Sequence, residues 1–188
     1  MNINNAIYFD TETLSLNPNK KENKMVLVQF GKIVNNKLII ETFNEWNNNE
    51  EDLLSYVINY INKLPKYTPI FTYNGEFDFR YFYARLRYNN TSDNDYYMIH
   101  EAIIKMKHCD VLQYDNGYFV SLDTICNKYD IETENNFSGI DVKWQYEEGD
   151  YKAIISHGID DIKRLYRLIN ETNLADRFYK IQVLKTKW

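Results

Sequence analysis

Three prolines and six glycines in 188 residues leave no Pro/Gly-rich linker, and no internal repeat interrupts the chain. One domain over residues 1–188 is the expectation, at a length that can bury a sizeable core. Only two cysteines are present, Cys109 and Cys126, with no CxxC pair, which excludes a disulfide framework and a thiolate zinc site. Reduced thiols suit the cytoplasm, or the host cytoplasm if the source is a phage or virus. No signal peptide precedes the acidic motif that starts at Asp10. No apolar run approaches the ~18 residues of a membrane span, so no membrane partner is expected. The chain begins and ends close to its outer motifs, so a second catalytic domain is not expected either.

Basic charge is also short. The net charge is −5, with 22 Lys and Arg against 27 Asp and Glu. Nucleic-acid binders usually carry a basic footprint, so this weighs against one. Clustered carboxylates that bind divalent cations would reverse the local field, however. Bases are also bunched, as Lys20, Lys21 and Lys24, as Arg80, Arg85 and Arg87, and as Lys180, Lys185 and Lys187. Solvated surface is the plainer reading of each bunch. Aromatics are plentiful, with 17 Tyr and 10 Phe. A Tyr-rich core is the plainer reading there, with a few rings left to stack on bases.

The periodicity predicts strands over Ala6–Phe9, Met25–Val34 and Lys37–Phe43, with Asn35-Asn36 as a tight turn. Leu53, Leu54, Val57, Ile58 and Ile61 recur at helical spacing, so Glu50–Leu64 reads as a helix stopped by Pro65. A strand over Pro69–Tyr73 and a helix over Glu76–Tyr88 follow. Tyr97–Lys107 reads as helix, Val111–Phe119 is unassigned, and Ser121–Lys128 is a short helix with Ser121 as N-cap. Asp150 to Ile169 is helical with a break near Gly158, and a last helix covers Ala175–Lys185. The order implies an α/β fold, a mixed sheet with helices packed on it.

Three acidic motifs carry the chemistry. In Phe9-Asp10-Thr11-Glu12-Thr13, Asp10 and Glu12 are two apart and share a strand face. Adjacent carboxylates repel unless a cation lies between them, and hard oxygen ligands suit Mg²⁺ or Mn²⁺. Surface charge at a strand end is the bland alternative. Asn74-Gly75-Glu76-Phe77-Asp78 opens a helix, with Asn74 as a candidate N-cap; acids favoured by the helix dipole are the bland alternative. In His157-Gly158-Ile159-Asp160-Asp161, His157 and Asp161 are four apart and share a helix face. Ile159, Ile162, Leu165 and Ile169 mark the expected buried stripe. Asp160 lines up with Arg164 and Arg167, which reads as a solvent face, so Asp161 is the candidate ligand. His157 could also be a capping or surface histidine.

Together and in this order the motifs resemble the DEDD superfamily of 3′–5′ exonucleases, with its ribonuclease-H-like fold. The stretch Phe9 to Leu16 is similar to the first exonuclease motif of polymerase proofreading domains. Asn74 to Asp78 fits an N-x-x-F-D second motif, and His157 to Asp161 stands where the third belongs. Cys109-Asp110-Val111-Leu112 with Ser121-Leu122-Asp123 is similar to the D-x-L…S-L-D stretch of family B polymerase exonuclease domains. The third motif departs from the pattern: its spacing is that of the tyrosine branch, with His157 in the tyrosine slot. The resemblance implies two metals about 4 Å apart held by Asp10, Glu12, Asp78 and Asp161. It implies His157 as the residue that positions or deprotonates the attacking water, with Tyr151 and His108 as alternatives. Thr13 would touch the terminal nucleotide and Leu16 would wedge between the last bases. Asn74 and Phe77 would be weaker substrate contacts, Asn74 equally a cap and Phe77 equally a core residue, and Asp110 a supporting or structural residue. The implied partner is nucleic acid with a free 3′ end, and for proofreading a separate DNA polymerase. The same chemistry would serve an RNA, oligoribonucleotide or small signalling-nucleotide exonuclease. A catalytically silent binding module with this fold is the alternative from a different class.

Overall fold

The computed structural model describes residues 5–89, 107–115, 118–134 and 139–172. Strands β1 (Ile7–Thr13), β2 (Met25–Val34) and β3 (Lys37–Asn44) form an antiparallel meander. Asn35 and Asn36 both take positive φ, 51° and 60°, which is the twist a two-residue hairpin demands. Helix α1 (Glu50–Lys63) follows, and its first turn is capped by Asn49, whose side chain accepts the Asp52 N–H. Leu64 turns extended before Pro65, as pre-proline backbone prefers, and ends the helix. Strand β4 (Pro69–Thr72) then pairs parallel to β1, and β5 (Lys107–Asp110) parallel to β4. The five strands lie in the order β3-β2-β1-β4-β5, a mixed sheet.

Strand alternation sends Ile7 and Phe9 to one face, where they pack with Leu54 and Val57 of α1 and with Phe79 and Phe82 of α2 (Gly75–Tyr88). Ala6 and Tyr8 go to the other face, against Ile125 of α3 (Leu122–Lys128) and Ile162 and Leu165 of α5 (Tyr151–Asn170). Both cysteines are buried in this second layer, and neither is in a disulfide. Helix α4 (Val142–Glu148) packs Val142 and Tyr146 beside Ile154 at the start of α5. Ser121 caps α3 by accepting the Thr124 N–H, as its position in the sequence predicts.

Several elements differ from the sequence reading. β1 does not stop at Phe9: antiparallel pairing with β2 continues through Thr11↔Val28 and Glu12↔Leu27, so the acidic motif lies within the strand. Residues 111–119, unassigned by periodicity, hold β6 (Gln113–Asp115) and the start of β7 (Tyr118–Val120), which pair antiparallel. Helix α5 runs unbroken through Gly158. A Cβ there would sit 2.6 Å from Gln29 Oε1, so the glycine lets the helix lie close on β2. The helix predicted over Tyr97–Lys107 falls outside the described residues except Lys107, which opens β5, and that over Ala175–Lys185 lies wholly outside them. No described helix is long and apolar enough to cross a membrane.

Candidate active site

The parallel pairing of β4 with β1 covers only Ile7 and Tyr8. Past Tyr8 that pairing ends, and Thr11 of β1 meets Asp78 at the start of α2. Strand ends of this kind are where α/β folds place their sites. Asp10 and Glu12 project from β1 on the Tyr8 side, towards α5. Glu12 is buried and Asp10 half-buried. Burial raises the Asp10 carboxyl well above its ordinary range, and the charges of Glu12, Asp161 and Asp78 push it further. Glu12 is raised in the same way, by burial first and then by Asp161 and Asp78.

Asp78 comes from the first turn of α2, on the opposite side of β1, and accepts the Thr11 hydroxyl. Its burial pushes it up to about 7 against the lowering pull of that hydroxyl. Asp161 stands on α5 with a fifth of its side chain exposed. Burial raises it too, while His157 and Arg164 pull it back. His157 is buried, with Nε2 3.7 Å from Glu12 Oε1 and 3.9 Å from Asp161 Oδ2. The five residues Asp10, Glu12, Asp78, His157 and Asp161 are thus gathered around one strand, from three elements. The alternatives to His157 have other contacts: Tyr151 stacks on Trp46 at 4.6 Å, and His108 Nε2 meets Thr72 Oγ1 at 2.8 Å.

Among the described residues, no group of three or more His, Cys, Asp or Glu side chains is drawn together as a ready-made metal site. Two protein partners account for part of the separation, since Thr11 holds Asp78 and Arg164 holds Asp161. Like-charge repulsion works in the same direction. The donor set still fits a hard divalent cation. It is all oxygen apart from one imidazole, and two of its carboxyls, Asp10 and Glu12, are raised by burial and then by their neighbours' charge, which a cation would relieve.

Asp160 is the clearest departure from the sequence reading. It is buried rather than exposed. Its carboxylate accepts the Thr133 hydroxyl at 2.8 Å and the Glu134 N–H at 3.0 Å, and pairs with Arg164 Nε at 3.1 Å. Arg164 is itself buried, and its remaining nitrogens meet Asp123 and Asp161. The segment around Thr133 covers a helix face that spacing alone assigns to solvent. Ile159, expected in the buried stripe, is half-buried. Asp160→Ala should therefore cost about 1–3 kcal/mol, since it takes the carboxylate from the buried Arg164 Nε and the acceptor from two donors, while Asp123 and Asp161 keep the other guanidinium nitrogens. Urea denaturation measures this, and a change within about 0.5 kcal/mol, the usual range for surface sites, would restore the exposed-face reading.

Asn74 has no side-chain cap bond; it takes a left-handed conformation, φ 61°. Asp110 does the capping instead, from the end of β5. Its Oδ1 accepts the N–H of Asn74 at 2.9 Å and of Leu112 at 3.0 Å, and its Oδ2 that of Glu76 at 3.4 Å. Asp110 thus has the structural role, tying β5 to the start of the helix that carries Asp78. A Cβ on Gly75 would lie 2.1 Å from Thr72 Oγ1, so this turn admits only glycine. Thr13 follows a bulge in β1, and its hydroxyl donates to Ser15 O at 3.0 Å. Leu16 is 86% exposed. Leu16, Asn74 and Phe77 line a cavity of about 910 Å³ between the 14–24 loop and α2. Glu76 and Asp110 are among its walls, while Asp10, Glu12, Asp78 and Asp161 are not; Phe77 directly precedes Asp78 in α2.

Arg85 is a further residue misread as part of a solvated basic bunch. It is 1% exposed and forms a two-pronged pair with Glu50, Nε to Oε1 at 2.7 Å and Nη2 to Oε2 at 2.5 Å. Its Nη1 donates to Pro18 O at 2.7 Å and Lys20 O at 2.8 Å, which fixes the loop that bears Leu16. Its partners lie 35 to 67 residues away, so no local spacing could reveal them.

A family model described as the RNase H superfamily matches residues 7–173. No curated protein matches the chain in sequence. The match starts at the first residue of β1 and runs past the end of α5. It agrees with the mixed sheet flanked by helices and supports a nuclease-type function; RNase H-like nucleases typically use divalent metals. On fold and sequence together, the chain belongs to the RNase H superfamily.

Proposed function

We propose that this chain is a divalent-metal-dependent 3′–5′ exonuclease that removes nucleoside 5′-monophosphates from DNA, acting first on single-stranded or frayed ends. The observation that carries the reading is the set of Asp10, Glu12, Asp78 and Asp161, all raised by burial, with Asp10 and Glu12 raised further by the charges of the others. Such a cluster lowers the stability of the protein unless a cation neutralises it. The order of the three motifs and the adjoining cavity favour a nucleic-acid end as the substrate.

In this reading Asp10, Glu12, Asp78 and Asp161 hold two Mg²⁺ or Mn²⁺ ions. Bound there, the ions supply the positive charge that a phosphodiester and its attacking water require. His157 turns Nε2 towards Glu12 and Asp161, where it orients the water and accepts its proton. Thr11 orients Asp78 through its hydroxyl. Thr13 contacts the terminal nucleotide, and the exposed Leu16 side chain wedges against its unpaired base, with Phe77 and Asn74 on the opposite wall. A free-standing proofreading or repair role would pair the chain with a separate DNA polymerase.

The test is a panel of end-labelled single-stranded, frayed, blunt and closed circular DNA, with matched RNA, in Mg²⁺, Mn²⁺ or EDTA. Stepwise release of 5′-monophosphates from the 3′ end, abolished by EDTA, is the expected result. Cleavage of circles, or undiminished activity in EDTA, overturns it; preference for RNA moves the substrate class.

His157 supplies a sharper check. His157→Ala should lose about two to four orders of magnitude in rate, the usual worth of a positioned acid–base group. His157→Tyr should recover part of the loss, because the three-residue gap to Asp161 matches a tyrosine-bearing motif. Its pH–rate profile should lie higher, since a phenol gives up its proton at higher pH than an imidazole. Full activity in His157→Ala would hand the role to another residue.

A further inference from the structure

The large cavity does not end at Phe77. A second cavity of about 470 Å³ continues along α2, and the two share Asn19, Arg80 and Ala84 as walls. Phe77, Arg80, Ala84 and Arg87 are three or four residues apart in turn, so they form one face of the helix. Among the described residues the second cavity is lined by two arginines, two tyrosines, Asn19 and Ala84, with no carboxylate, in a chain where acids outnumber bases. The Arg80 side chain is 79% exposed, and its pair with Glu76 is 3.7 Å long. Such a pair contributes little in water and yields readily to a phosphate.

The walls of this groove are built rather than loose. Arg85 holds the facing loop by the carbonyls of Pro18 and Lys20, and Tyr81 holds the Asn23 carbonyl at 3.0 Å. The Arg85 guanidinium also lies 4.4 Å from the ring centroid of Tyr88, which fixes that ring at the far end. From Phe77 to Tyr88 the helix rises roughly 16 Å, the span of about five stacked nucleotides of one strand.

We propose that this groove is a binding track for the upstream part of a single nucleic-acid strand whose 3′ end lies at the carboxylates. Arg80 and Arg87 meet its phosphates and Tyr88 offers a ring to a base, without reading sequence. The proposal rests on the exonuclease reading for the direction of the strand.

Fluorescence anisotropy in chelator, where no hydrolysis occurs, compares a labelled 10-mer with a labelled 3-mer, as DNA and as RNA. The 10-mer should bind at least about tenfold tighter for either sugar. The double variant Arg80→Ala/Arg87→Ala should lose that advantage, and its salt dependence should be shallower by about one unit of slope per arginine. Hydrolysis of thymidine 5′-monophosphate p-nitrophenyl ester in Mn²⁺, a substrate too short to reach the track, should be unchanged in the double variant. Equal binding of both lengths by the wild type, or an intact length advantage in the double variant, overturns the track while leaving the exonuclease reading in place. If the wild type hydrolyses neither the ester nor the 10-mer, the exonuclease reading fails, and the anisotropy series alone decides the track.

Discussion

Asp10→Asn lowers turnover of an end-labelled oligonucleotide by at least about three orders of magnitude, and raises the melting temperature of the chelated protein. The loss follows from removing one charge from the set that would hold the ions, whose contribution to such reactions is several kcal/mol. The gain follows from repulsion: Asp10 is pushed up by burial and then by Glu12, Asp161 and Asp78, and an amide there removes a charge that the folded state disfavours. The pH dependence has a definite sign. These carboxyls have folded values above their unfolded ones, so the folded state binds protons more tightly. Their contribution is most favourable below the ordinary carboxylate value of 3.8 and is lost as pH rises through the folded value, about 7 for Asp78. Melting curves of the chelated wild type should therefore fall between pH about 4 and about 7 through this cluster. Asp10→Asn should fall less steeply, and Mg²⁺ should flatten the wild-type curve. A variant that melts below the wild type in chelator would show that repulsion is not what sets these values.

Arg85→Met costs about 3–5 kcal/mol, the usual effect of leaving one member of a buried ion pair alone. Glu50 would keep the Met25 N–H at 2.9 Å and Asn89 at 3.1 Å, but not the guanidinium that neutralises it. The substitution also releases the carbonyls of Pro18 and Lys20. Replacing both partners, Glu50→Leu with Arg85→Met, should recover part of the loss, because no unpaired charge is then buried. Urea denaturation of the two singles and the double gives the coupling. A single-variant cost within about 0.5 kcal/mol, as at ordinary surface sites, would mean that the loop is held by other contacts.

The parts legible in the sequence are those written in local spacing. Alternation put Asp10 and Glu12 on one strand face, and the four-residue step put His157 beside Asp161, now 3.9 Å apart. The Asn35-Asn36 turn, the Ser121 cap and the Pro65 stop were equally local. The misread residues depend on what lies opposite. Asp160 and Arg164 face the segment around Thr133 and Asp123, 27 and 41 residues away. Asn74 reads locally as a side-chain cap, but Asp110 supplies the cap from 36 residues away. A charged residue on a helix reads as exposed until another element covers it, and periodicity does not say which element will.

The fixed loop has a consequence for protease susceptibility. Residues 20–24 read Lys-Lys-Glu-Asn-Lys, and Lys20 and Lys21 are exposed, a composition that invites trypsin. Exposed loop tips are ordinarily nicked first. Here the carbonyls of Pro18, Lys20 and Asn23 are all held by side chains of α2, and the Asn23 amide donates to Asn17 O at 2.7 Å. A protease must lift this segment before it can bind it, so cleavage reports how often the loop opens. Native protein should resist nicking after Lys20 and Lys21, and Arg85→Met should be cut there well before the sheet unfolds. Mass mapping of early tryptic fragments at neutral pH distinguishes that order from cleavage that starts elsewhere in both proteins.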